Sequence, residues 1–158
     1  MSSWLTPDDF KTVVASTPLI SIDLIVTNTT NEILLGQRVN RPAQHCWFVP
    51  GGRVLKNESL DEAFKRLTSN ELGVTYHRHE ACFLGVYEHF YQDSVFGDSP
   101  SDPSTHYVVL SYQLTLSNPL DLSLPTEQHT DYQWWRLEDA ENHPSVHHHT
   151  QAYLPAIE

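Results

Sequence analysis

The chain has 158 residues, 39% of them hydrophobic, and a formal net charge of −11 at pH 7. That length fits a single domain over residues 1–158 with a sizeable core. The acidic balance argues against nucleic-acid binding, and no apolar run reaches the length of a membrane span. The start, MSSWLTPDDF, lacks the basic-then-apolar pattern of a secretory signal, so a cytoplasmic location is expected. Cys46 and Cys82 are too few for a disulfide framework.

In chain order, SSWLTPDDFKTVVAS predicts a short helix, with Thr6 as N-cap and Pro7 in the first turn. ISIDLIVTN alternates and is β-branched, so it predicts a strand, and EILLGQRV predicts its hairpin partner. HCWFVPGGRVL predicts a strand broken at Pro50-Gly51-Gly52. SLDEAFKRLTSNEL predicts a clear helix, since Ser59 and Glu62 match a capping box and Gly73 stands where a terminal glycine belongs. Strands are expected around ACFLGVYEHFY, HYVVLSYQLTL and YQWWRL, with a surface loop through residues 94–103 and a helix near the end. This order describes one domain with a mixed sheet and helices against it.

The stretch GRVLKNESLDEAFKRLTSNELGV carries the chemical signal. At about 100° per residue, Glu71 falls on the face of Leu60, Phe64 and Leu67. A carboxylate that continues an apolar stripe is costly unless something pairs with it. A divalent cation such as Mg2+ is one partner; a nearby Arg or solvent is the alternative.

The same stretch resembles the Nudix box: Gly, five residues, Glu, seven residues, then Arg-Glu-apolar-any-Glu-Glu-any-Gly-apolar. Gly52, Glu58, Arg66, Glu71, Gly73 and Val74 match, whereas Leu67 and Asn70 replace glutamates. Those departures resemble one branch, the GDP-mannose mannosyl hydrolases. The likeness continues through DDFKTVVASTPLISIDLIV, LLGQRVNRPAQHCWFVPGGRV, THYVVL and PTEQHTDYQWW. It implies an α+β Nudix fold, a mixed β-sheet flanked by helices in an α/β/α sandwich. It also implies one Mg2+ per subunit, held by the Gly51 carbonyl, Glu71 and Gln128. His129 corresponds to the general base. Arg38, Arg53 and Tyr107 correspond to positions near the leaving diphosphate. Arg66 is grouped with the catalytic residues, or orients Glu58 or Glu71. Asp23 and His89 correspond to positions near the sugar. Trp4 and Phe10 correspond to a guanine sandwich, with Leu5 beside them among the substrate-binding residues. The resemblance further implies a site completed across a homodimer.

Each of these residues also has an ordinary reading. Either Arg could form a structural salt bridge, Asp23 a cross-strand ion pair, and His129 could be a solvated loop residue. The run His147, His148, His149 looks like a metal cluster, but consecutive residues converge poorly on one ion, so a solvated run is expected. The reaction implied is hydrolysis of GDP-mannose, and of GDP-glucose, to GDP and free sugar by water attack at the anomeric carbon with inversion. The alternatives are attack at phosphorus of a nucleotide sugar or dinucleotide, and a non-catalytic nucleotide-binding module.

Overall fold

The computed structural model describes residues 4–117 and 129–158. Helix α1 spans Pro7–Ser16, and the Thr6 hydroxyl caps it by accepting from the Asp9 amide at 3.2 Å. Strands β1 (Leu19–Asn28) and β2 (Glu32–Arg38) follow. The Asn28 side chain ties their turn by accepting from the amides of Thr30 and Glu32. Two short strands, β3 (Trp47–Phe48) and β4 (Gly51–Arg53), lead to helix α2 (Leu60–Leu72). Ser59 caps α2 by accepting from the Glu62 amide at 3.1 Å, and Gly73 ends it in the left-handed region at φ 74. After a 3-10 turn at Arg78–Glu80 come β5 (Cys82–Tyr91), β6 (Thr105–Leu116) and β7 (His129–Arg136). The short helices α3 (Leu137–Ala140) and α4 (His148–Gln151) and a 3-10 turn at Leu154–Ala156 close the chain.

The sheet runs β3-β2-β1-β6-β5, with β4 paired to β1 and β7 paired to β2. β1 and β6 are parallel, and the other pairs among the described residues are antiparallel, so the sheet is mixed. β1 is buried on both faces. Ile22, Leu24 and Val26 pack with Ala63, Phe64, Leu67 and Leu72 of α2. Ile25 packs on the other side with Ile33, Leu35, Ala140, Val146 and Tyr153. The sheet therefore lies between α2 and the C-terminal segments, which is the layered arrangement expected. Burying a side chain such as Phe64 completely contributes about 1.5–3 kcal/mol.

One edge of β1 changes partner along its length. Ser21–Asp23 pairs with β4, and Thr27 pairs with Ile33 of β2. The expected break in HCWFVPGGRVL falls earlier than Pro50-Gly51-Gly52: β3 ends at Phe48, and both glycines belong to β4. Their role is close approach. A Cβ on Gly51 would lie 2.5 Å from the Ile22 carbonyl oxygen and from Asp23 Oδ1, and one on Gly52 would lie 2.6 Å from Leu67 Cδ2. The last strand also starts earlier than YQWWRL, because His129 pairs with Arg38.

Candidate active site

A cavity of about 490 Å³ opens where β1 changes partner, a size suited to a small ligand. Its walls include Asp23, Arg38, Gly51, Arg53, Glu71, His89 and Tyr107, so residues far apart in sequence share one site. Trp4, Phe10 and Arg66 also line it, and Leu5 does not. His129 is the first residue of β7, paired with Arg38, and so belongs to a strand and not to a loop. Gln128 lies outside the described residues.

Glu71 is buried on α2 at the cavity wall, as the helical spacing requires. Around it, Leu67 is buried in the core and Asn70 faces the cavity. Among the described residues, Asp23 and Glu71 are the carboxylates lining the cavity. A carbonyl at Gly51 and a carboxylate at Glu71 are oxygen donors of the kind Mg2+ takes. Gly51 itself lines the cavity, with Asp23 packed against it where a Cβ would stand. The residues present therefore fit a divalent cation.

Glu58 is committed elsewhere. Arg66 Nε donates to its Oε2 at 2.7 Å, and Arg66 Nη2 donates to its Oε1 at 3.0 Å and to the Arg53 carbonyl at 2.7 Å. The Arg66 hydrogen bonds hold the Glu58 carboxyl below the usual range, burial opposing them. Arg66 thus orients Glu58 and anchors the backbone of β4, one of the two roles expected of it.

Arg53 lies against rings. Its guanidinium carbon is 4.2 Å from the Phe10 ring centre and 5.4 Å from that of Trp4. Trp4 is 61% exposed, so a planar group can still reach its face. Arg38 donates from Nε to the Pro42 carbonyl at 2.9 Å, which leaves its terminal nitrogens for other partners. The 94–103 loop reaches the site: Ser94 and Val95 line the cavity, and Phe96 meets Phe10 at 5.7 Å between ring centres.

The partner of Asp23 escaped sequence reasoning. It is not a cross-strand cation but Tyr153, whose hydroxyl donates to Asp23 Oδ2 at 2.5 Å. The same hydroxyl lies 3.2 Å from His89 Nε2. Burial pushes the Asp23 carboxyl up to about 7, against the Tyr153 hydrogen bond and Arg38. Burial, with His149, His147 and His148 adding to it, holds His89 down at about 3, so its ring is neutral. A buried acid needs a donor, and that was the one signal pointing to such a partner.

The histidine run is not solvated as expected. His147 and His149 are half-buried, and the ring nitrogens of the three lie within 4.8 Å of one another. His147 caps α4 by accepting from the His149 amide and packs against Phe48, while His149 stacks on His89 at 4.1 Å. The run supports the back of the cavity.

The chain matches the NUDIX domain family over residues 17–156. It is 36% identical over 151 residues to the low-salt glycan biosynthesis protein Agl8 of Haloferax volcanii, covering 96% of this chain and 89% of that one. Among solved structures, a MutT NUDIX hydrolase from Burkholderia pseudomallei superposes with a TM-score of 0.70 at 23% identity, covering 90% of this chain and 100% of that one. The NUDIX domain of Shewanella oneidensis NrtR, complexed with ADP ribose, gives 0.66 at 20% identity, covering 96% and 90%. At those identities the two structures establish the fold. No helix among the described residues is long and apolar enough to cross a membrane.

Proposed function

The chain belongs to the Nudix hydrolase family, whose members act on nucleotide-derived substrates and generally use divalent metal ions, and we propose that this one hydrolyses GDP-mannose or GDP-glucose to GDP and free sugar. The observation that carries this reading is the reduced acid set of α2. Leu67 and Asn70 leave Glu71 as the one helix carboxylate lining the cavity, beside Arg38 and Arg53. A site with few acids and two guanidinium groups suits departure of a diphosphate better than activation of several metals for attack at phosphorus. A relative named for glycan biosynthesis agrees with a sugar-bearing substrate.

Mg2+, when bound by Gly51, Glu71 and Gln128, supplies neutralising charge to the diphosphate. Arg38 and Arg53 grip the same oxygens with planar forks. His129 takes a proton from water as the water oxygen bonds to the sugar C1. The C1–O bond breaks, and its electron pair leaves on GDP. A phosphate's last pKa is about 6, so that oxygen departs without an acid. An ordinary inverting glycosidase needs both an acid and a base; this site needs the base alone. The same reading implies a homodimer, for which Phe83, Val86 and Phe90 on edge strand β5 offer exposed apolar surface.

The test is hydrolysis in 18O-labelled water, with both products examined by mass spectrometry. Label in the free sugar and none in GDP is expected. GMP plus sugar phosphate, or no turnover, overturns the reading.

The ring pair makes a second expectation. Trp4→Ala or Phe10→Ala removes a stacking face and also the support under Arg53. Stacking is worth about 1–3 kcal/mol per base, so KM for the GDP-sugar should rise roughly 5- to 150-fold, with weaker preference for guanine over adenine. Steady-state kinetics on GDP- and ADP-sugars checks this. Unchanged KM and unchanged discrimination would remove the rings from the base site.

A further inference from the structure

Resting on the proposed reading, we infer that Tyr153 is a positioning residue that turns Asp23 and His89 into a pair of hydrogen-bond acceptors for the hydroxyls of the sugar. The argument starts from proton counting. A phenol has one proton. With Asp23 ionised, its carboxylate can only accept, so that proton goes to Oδ2, 2.5 Å away. The Tyr153 oxygen is then an acceptor, and His89 Nε2 at 3.2 Å must bring the proton of that contact. A neutral imidazole carries one N–H, so placing it on Nε2 leaves the lone pair on Nδ1. The order of donors runs from His89 through Tyr153 to Asp23, and one hydroxyl sets both ends.

Asp23 Oδ1 lies on the side of Gly51, in the space a Cβ there would fill, so the carboxylate packs directly against the glycine backbone. Asp23 and His89 both line the cavity, and they come from different strands, β1 and β5. Two acceptors with no spare donor select a ligand that brings donors. A hexose is rich in hydroxyls.

Tyr153 is suited to hold this order because it has no freedom to lose it. Its side chain is fully buried, its ring meets Tyr87 edge-on at 4.7 Å, and it belongs to the second core layer with Ile25, Ile33 and Phe48. His89 is held from its other face by the stacked His149 ring. The C-terminal segment thereby fixes two residues of the cavity without lining the cavity itself.

The experiment compares wild type with Tyr153→Phe, Asp23→Asn and the double variant, with thermal melts to confirm folding. Phenylalanine keeps the ring in the core and removes only the hydroxyl. A hydrogen bond to a charged group is worth about 1.5–3 kcal/mol, so kcat/KM for the GDP-sugar should fall roughly 10- to 150-fold. Inhibition by GDP alone, which has no sugar, should stay within about twofold of wild type. The double variant should be little worse than Asp23→Asn, since both changes break one linked unit. A parallel loss of GDP binding would show a merely structural role and overturn the inference. Additive losses in the double variant would also overturn it. Failure of the functional reading shows separately, as GMP and sugar phosphate made by wild type, whereas the Tyr153 comparison is read on turnover of the same substrate.

Discussion

Replacing Glu71 with Gln is expected to lower kcat by about a hundred- to a thousand-fold, the several kcal/mol a metal contributes to stabilising charge in a transition state. Glu71 is buried at the cavity wall, on the same helical face as Phe64 and Leu67. A helix gains nothing from a carboxylate there as packing, because an apolar residue would fill the stripe at lower cost. The glutamine has nearly the same shape, so the fold should persist. What changes is the charge available to a cation. Wild type should melt higher as Mg2+ is added, because a ligand that binds only the folded state stabilises it. The variant should lose most of that gain. Kinetics at limiting Mg2+ and melting curves with and without it give independent readings. Normal turnover of the variant at limiting Mg2+ would remove Glu71 from the metal site.

Local signals in the sequence were sufficient for much of the frame. Ser59 and Gly73 bracket α2 because caps act within a turn of the residues they serve. β1 reads as an apolar strand because both of its faces are covered, one by α2 and the other by the C-terminal segments. The glycines Gly51 and Gly52 were visible, but their role was not. A Pro-Gly-Gly sequence signals a break, and only the approach of Ile22, Asp23 and Leu67 shows that the space is taken by other chain segments.

What escaped sequence reasoning depends on distant contacts. Tyr153 meets Asp23 across 130 positions of sequence, and nothing in the tail marks it as the partner of a buried acid. His147 and His149 look like solvated residues in isolation. They are half-buried because β3 and β5 present Phe48, His89 and Tyr91 to them. Arg53 was expected beside a diphosphate, yet its neighbours also include the rings of Trp4 and Phe10. The contact between Arg53 and these two rings is therefore a property of packing, and periodicity carries no trace of it.

His129→Gln is the second large change expected, a fall in kcat on the order of a hundred- to ten-thousand-fold with KM little altered. The placement argument begins with β7. Its first residue pairs with Arg38 of β2, and Arg38 lines the cavity, so the backbone of His129 starts beside a residue of the cavity wall. The chemical argument is that GDP can leave unprotonated, while the incoming water must lose a proton as it bonds to C1. An ordinary imidazole, with a pKa near 6.5, is uncharged and basic enough at neutral pH for that one task. Glutamine keeps polarity and much of the volume but cannot take the proton. In wild type, kcat should fall as pH drops through the pKa of the base. The variant should lose that limb along with its rate. Direct displacement also inverts C1, so α-linked GDP-mannose should release β-mannose first, observable by NMR before mutarotation. An α-anomer appearing first would point to a covalent intermediate, and a fully active variant would move the base to another residue.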